Sequence, residues 1–262
     1  MTQQTALITG PGSGLGLEFA RQLAEQNWNL ILAGRTEQKL AAASQELESV
    51  TSGWIKTIPI DLSEPGAAEA LHTQVRDSGE TVELLINNAG VGLFGEHTTL
   101  PDSELSSMLT LNIVNLTLLS QYFGADMKER GHGYLLNIAS TAGFQPVPLL
   151  SSYAASKSYV LNFTEALSKE LEDHGVTVSC LCPGHTESQF FERAGIVASE
   201  KGFFSPSARM NAEQVARVGL KTVFAGKLTV IPGFRNNALA LANRFSTRPL
   251  AAFISKRLTA NP

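Results

Sequence analysis

Short apolar runs that alternate with helix-patterned stretches constrain this chain more than any other feature. Thr5–Thr9, Asn29–Ala33, Ile55–Ile60, Glu83–Asn87, Tyr134–Ala139 and Thr177–Leu181 read as strands, with Lys227–Ile231 as a weaker seventh. Leu15–Gln26, Glu37–Ser49, Ala67–Ser78, Ser103–Lys128 and Ser152–His174 carry helical spacing between them. The runs are apolar nearly throughout rather than at alternate positions, so both faces of the sheet must be covered. Strand–helix–strand units with right-handed crossovers then build a doubly wound parallel α/β sheet of about seven strands. The 262 residues, 43% of them apolar, suffice for one such core. Neither a repeat nor a linker breaks the chain. The reading is therefore one domain over residues 1–233, with residues 234–262 as an amphipathic extension of it.

Charge and composition exclude several classes. A net charge of −4 gives no basic footprint for nucleic acid. No apolar run reaches the roughly 18 residues of a spanning helix. Met1-Thr2-Gln3-Gln4 leads into a strand without a basic, apolar leader, so the expected compartment is the cytoplasm. Cys180 and Cys182 fall on one face of a strand and are expected to pack as small hydrophobes in a reducing environment. His97, His132 and His185 show no metal-ligand spacing, and His185, after Pro183-Gly184, is expected in a solvent-exposed loop, with a place bordering the substrate as the alternative.

Two local patterns carry chemistry. The turn Thr9-Gly10-Pro11-Gly12-Ser13-Gly14-Leu15-Gly16 follows the first strand and opens the first helix. Glycines there let backbone approach a pyrophosphate, and the helix amino terminus favours the anion. Further on come Ser140, Tyr153 and Lys157. Tyr153 and Lys157 are four apart in a helical stretch and share a face. A free phenol has a pKa near 10, and a neighbouring ammonium is what lets it exchange a proton at neutral pH. Ser140 ends a strand, where ligands gather on such sheets.

These pieces, with Asp61-Leu62, Asn87-Asn88-Ala89-Gly90, Asn112, Tyr153-Ala154-Ala155-Ser156-Lys157 and Pro183-Gly184, occur in the order found in the short-chain dehydrogenase/reductase family. The chain resembles the classical branch of that family over roughly residues 5–232. The resemblance implies a Rossmann-type fold and hydride transfer between a nicotinamide cofactor and a small carbonyl or alcohol. It assigns proton transfer to Tyr153, substrate-oxygen binding to Ser140 and a water-linked relay with Lys157 to Asn112. For the cofactor it implies Gly10, Ser13, Gly14, Leu15 and Gly16 at the pyrophosphate, and Asp61 and Leu62 at the adenine. Asn88, Ala89 and Gly90 would wall the adenosine side, Pro183 and Gly184 the nicotinamide side, with Thr186 or Ser188 supplying a hydroxyl. Tyr153 and Lys157 would also reach the cofactor. It implies a homo-oligomer as well, through Ser103–Lys128 and Ser152–His174, where Leu105, Met108, Leu109, Leu116 and Tyr122 serve either a partner or the sheet.

The end of the second strand bears on the choice of nicotinamide. An acid there would hold the ribose hydroxyls of NAD, but the position is Gly34, followed by Arg35 and Thr36. A guanidinium suits a phosphate, so NADP(H) is expected over NAD. Val91, Leu93, Phe144, Leu149, Leu150, Phe190 and Phe191 are candidate walls for an apolar substrate. The irregular stretch His185–Ser207, with Phe203 and Phe204, reads as a lid. The tail Phe234–Leu258 mixes apolar residues with Arg235, Arg244, Arg248, Lys256 and Arg257. It is expected to cover the substrate entrance or a subunit surface, with peripheral membrane contact as an alternative. A cofactor-binding sensor or scaffold without turnover is the competing function, and epimerisation or dehydration on the same fold a third.

Overall fold

The computed structural model describes residues 3–187, 190–196 and 209–259. Seven parallel strands form one sheet in the order β3-β2-β1-β4-β5-β6-β7. They are β1 (Thr5–Thr9), β2 (Asn29–Gly34), β3 (Ile55–Pro59), β4 (Leu84–Asn87), β5 (Gly133–Ile138), β6 (Val176–Leu181) and β7 (Thr229–Val230). The sequence placed all seven. Glu83 and Ala139 fall outside the ladder, and the seventh strand is only two residues long. The order reverses between β1 and β4, which opens a crevice at their carboxyl ends.

Period-two alternation along β1 sorts its side chains onto two cores. Ala6 and Ile8 join one cluster with α1 (Gly14–Ala24), α2 (Glu37–Glu48) and α8 (Ala212–Phe224). Leu7 joins the other with α3 (Ala67–Asp77), α5 (Leu116–Arg130) and the end of α6 (Ser151–Leu171). Phe19 of α1 is fully buried, and truncating such a ring costs on the order of 3–5 kcal/mol. Gly219 lets α8 close on it, since an added Cβ would lie 3.0 Å from the Phe19 ring. The sequence reading had no helix over Ala212–Phe224. It is amphipathic, and the side chain of Asn211 caps it by accepting from the Gln214 amide.

Three further departures concern the site. The expected helix Ser103–Lys128 is in fact α4 (Asp102–Leu109), a π-helical turn over Thr110–Asn115, and α5. Such widened turns recur at functional sites because they re-aim side chains. The stretch after β6 contains a short helix α7 (Phe190–Arg193). Ser188, Phe203, Phe204 and the side chain of Phe191 lie outside the described residues, as does most of the expected lid. The tail forms two helices, α9 (Phe234–Phe245) and α10 (Arg248–Thr259).

Cys180 and Cys182 are buried with free thiols, their sulfurs 3.7 Å apart. Met108 and Leu116 are buried inside the chain; Leu105 and Leu109 pack around Met108, and Tyr122 packs on the cluster that holds Leu119 and Phe123. Among the described residues no helix is long and apolar enough to cross a membrane, and no group of acids, histidines and cysteines is placed to hold a metal.

Candidate active site

A cavity of about 660 Å³ occupies the crevice above β1 and β4. Thr9 and Asn88 lace its floor. The Thr9 hydroxyl accepts from the amides of Asn88 and Ala89, both at 3.0 Å, and the Asn88 side chain donates to the carbonyls of Thr9 and Gly10. Gly10 has φ +69°, a conformation that favours glycine. A Cβ at Gly16 would collide with the Gly10 carbonyl. This turn therefore exists only with glycines, and it leaves the α1 amino terminus bare. Ser13 sits at the N-cap with its hydroxyl bonded to none of the helix amides. Bare amides beside a glycine cradle fit a pyrophosphate.

The far arm of the cavity reaches Arg35, Thr36, Lys39, Asp61 and Leu62. Arg35 Nη1 lies 3.7 Å from Asp61 Oδ2, while Asp61 Oδ1 accepts from the amide and hydroxyl of Ser63. Leu62 is buried and its carbonyl is held by Asn115 Nδ2 at 2.7 Å. Lys39 is a second cation at this end that the sequence reading missed. Its position four residues after Arg35 was the available signal. The backbone at Gly12 closes on its stem, where a Cβ would come within 3.1 Å.

At the other end Ser140, Tyr153, Lys157, Pro183, Gly184 and Thr186 line the cavity, with the Pro183 carbonyl accepting from the Thr141 amide at 2.9 Å. The Ser140 hydroxyl accepts from the Ala142 amide at 3.1 Å and donates to the Pro183 carbonyl at 3.5 Å, beside the Tyr153 phenol. Burial pushes that phenol up to about 12, with the Ser140 hydrogen bond pulling the other way. Lys157 Nζ lies 5.9 Å from the centre of the Tyr153 ring. Burial brings its amine down to about 8, against the thiols of Cys180 and Cys182. In this arrangement the phenol is an acid rather than the stabilised phenolate the Tyr–Lys spacing suggests.

Asn112 lies on the π turn and is fully buried. Its Oδ1 accepts from Val91 N, and its Nδ2 donates to Val91 O and Ser156 Oγ. It clamps the strand-end loop through that two-way bond. A Cβ at Gly90 would meet both Asn112 Oδ1 (3.2 Å) and Lys157 Nζ (3.3 Å). The four catalytic candidates thus converge, with Asn112 behind Gly90. Gly143 is a further requirement that the sequence reading overlooked. Its missing side chain lets the turn Thr141–Phe144 sit on α6, where a Cβ would be 2.8 Å from the Lys157 carbonyl.

Val91, Leu93, Leu150 and Phe190, expected as apolar walls, line the cavity, joined by Met108 and Val147. The Phe190 ring packs 5.1 Å from Tyr153. Phe144 packs instead against the Cys180–Cys182 cluster, and Leu149 does not line the cavity. His185 corrects its expectation: it lines the cavity rather than standing in solvent, and burial, then Arg209, lowers it to about 4. No described tail residue lines the cavity. The tail instead borders the rim, Asn236 against Gly184 and Asn243 bonded to Gln145.

The family model for short chain dehydrogenases matches residues 4–198. The chain is 33% identical to rat (Rattus norvegicus) 17-beta-hydroxysteroid dehydrogenase type 3 over 182 residues, 69% of this chain but only 59% of that protein's length. It is 31% identical to ketoacyl reductase HetN of Nostoc over 214 residues, 81% of this chain and 74% of that one. A solved short-chain dehydrogenase from Sphingobium yanoikuyae in complex with NADPH superposes with a TM-score of 0.82 at 28% identity, covering 92% of this chain and 94% of its own. With the family match running from the first strand past the Tyr153–Lys157 helix, the chain belongs to the short-chain dehydrogenase/reductase family of nicotinamide-dependent oxidoreductases.

Proposed function

We propose that the chain reduces a lipophilic ketone with NADPH. The observation that carries this is one continuous cavity with Arg35 and Lys39 at one end and Ser140, Tyr153 and Lys157 at the other, walled there by Met108, Val147, Leu150 and Phe190. Two cations at the β2 end, where an NAD-binding acid is lacking, favour a 2′-phosphate. When bound, the nicotinamide supplies a hydride. The chain's own work is to hold the substrate oxygen and give it a proton. The Tyr153 phenol, with the Ser140 hydroxyl beside it, forms the seat for that oxygen. A phenol near 12 is fully protonated at neutral pH, and its proton goes to the oxygen as negative charge develops there. Lys157, an ammonium at neutral pH, supports the tyrosinate left behind. The two similar proteins whose names specify hydroxysteroid and ketoacyl substrates add support for a lipophilic substrate.

The same reading takes the enzyme as a cytoplasmic homo-oligomer. Val114 on the π turn and Tyr159 on α6, both exposed, support a further contact face. Sedimentation showing only the 28.1 kDa species at micromolar concentration rejects this part.

The test is NADPH consumption against oxosteroids, 3-oxoacyl thioesters and bulky aryl ketones. Tyr153→Phe keeps the ring and removes the proton, so the rate on the best substrate falls about 10²–10⁴-fold while NADPH still binds. Binding of NADPH without turnover on any carbonyl favours the sensor reading, and an unimpaired Tyr153→Phe defeats the assigned chemistry.

A further inference from the structure

The two tail helices are built inside out for a monomer. On α10 the buried residues are Ala251, Ser255 and Thr259, one per turn along a single face. Leu250, Phe253, Ile254 and Leu258 are all about half exposed or more. On α9 the inward positions are Asn236, Ala240 and Asn243, whereas Phe234 and Phe245 are 88% and 85% exposed, with Leu241 at 52%. Phe234, Ala238, Leu241 and Phe245 follow i, i+4, i+7, i+11 spacing, one apolar stripe opposite the docked face. A helix that only finished the fold would turn its large side chains inward.

The charge is as one-sided as the packing. Five of the chain's 20 lysines and arginines lie in residues 234–262, and none of its 24 acids does. The tail therefore carries +5 and the rest of the chain −9, against −4 overall. Arg235 and Arg244 flank the α9 stripe on its two sides at helical spacing. None of the five cations is ion-paired among the described residues; Arg257 lies 4.5 Å over the Phe253 ring. A small cavity at the α9–α10 turn is lined by Asn243, Arg244, Ser246 and Arg248, with Phe144 and Pro146 behind. Two guanidiniums and a hydroxyl there suit a phosphate.

We propose that α9 and α10 dock this protein on an anionic lipid bilayer. The apolar stripe enters the headgroup–acyl boundary, the flanking cations stay at the lipid phosphates, and one phosphodiester sits between Arg244 and Arg248. The acidic remainder of the chain is repelled from the same surface, which fixes the tail-down orientation. Because Asn236 and Asn243 border the reactive cavity at Gly184 and Gln145, docking brings the rim of that cavity to the lipid. The inference does not depend on which carbonyl the enzyme reduces.

Flotation of the full chain with vesicles tests it. The protein is expected to float with phosphatidylcholine vesicles containing phosphatidylglycerol and to stay behind with phosphatidylcholine alone, and high salt should release it. Arg244→Gln with Arg248→Gln should weaken partitioning roughly 25-fold, about 5-fold per arginine. Phe245→Ser with Phe253→Ser should weaken it on the order of 100-fold. All four side chains are exposed, so melting temperature and NADPH affinity should not change. Absence of flotation at low salt, or equal flotation with both vesicle types, overturns the proposal. It is equally overturned if the phenylalanine variant converts an oligomer to monomer while the wild type ignores vesicles, since a second copy then covers the face.

Discussion

Lys157 Nζ donates to the main-chain carbonyl of Ile138 at 2.8 Å. The bond ties α6 to the end of β5, and with it the lysine to the strand that delivers Ser140. It also leaves a buried amine whose folded-state pKa, about 8, lies below its ordinary 10.5.

That difference has a sign. Between pH 8 and 10.5 the unfolded chain binds more protons at this lysine than the native one, so stability rises with pH there. The gain should be about 1 kcal/mol from pH 8 to 9. Above that, the raised Cys182 thiol and then the raised Tyr153 phenol act in the opposite sense. Urea unfolding of cofactor-free protein at half-unit pH steps measures it. Lys157→Met should lose the rise, and an unchanged rise in that variant refutes the linkage.

Arg35 and Lys39 should decide which nicotinamide is bound. Arg35→Asp removes one cation and adds an anion beside Asp61. NADPH dissociation should rise roughly 30–150-fold, about 2–3 kcal/mol, with NADH little affected. Lys39→Ala should act in the same direction and less. Fluorescence titration with both cofactors reads this, and equal losses would make Arg35 a structural residue.

Asn115 is a structural keystone at the adenine end. Its side chain donates to Leu62 O and Glu64 O and accepts from Ala68 N. Asn115→Leu leaves the buried Leu62 carbonyl and Ala68 amide without this partner, while Glu64 O keeps the Ala67 amide, and should cost about 2–4 kcal/mol in denaturant unfolding. A loss below about 0.5 kcal/mol would mean those groups find other partners.

Gly143→Ala should push the Thr141–Phe144 turn off α6, because the new methyl meets the Lys157 carbonyl at 2.8 Å. We expect about 1–3 kcal/mol of destabilisation, with kcat falling further than the cofactor affinity. Stopped-flow turnover beside cofactor titration separates the two effects, and an intact kcat would count against the turn as the holder of Ser140.

The strands were legible because burial on both faces writes a continuous apolar run, as in Thr5-Ala6-Leu7-Ile8-Thr9. The glycine cradle and the Ser140–Tyr153–Lys157 group were legible because their spacing is local. Other features depend on distant chain segments meeting. Gly143 reads as an ordinary turn glycine until α6 lies on it. His185 reads as a loop residue until burial strips its water. Asn115 shows nothing in sequence that tells a solvated helix asparagine from one holding three backbone groups. Asn87, Asn137 and Thr164 form a buried chain from β4 through β5 to α6, and each alone looks like a stray polar residue. The π turn at Thr110–Asn115 was hidden because its apolar spacing differs from that of a helix by a single position.

That single position separates two kinds of genetic change. Substitutions at its outward sites, such as the half-exposed Val114, alter only a surface. Loss of one codon between 110 and 115 lets the widened turn close into regular helix. The flanking helices α4 and α5 keep their phase, because the wide turn is what absorbs the one extra residue, while the side chains inside the turn lose their aim. Asn112 then loses its two bonds to Val91, although no side chain essential to the chemistry has been exchanged. In this segment reading-frame-preserving deletions should be purged where missense changes persist.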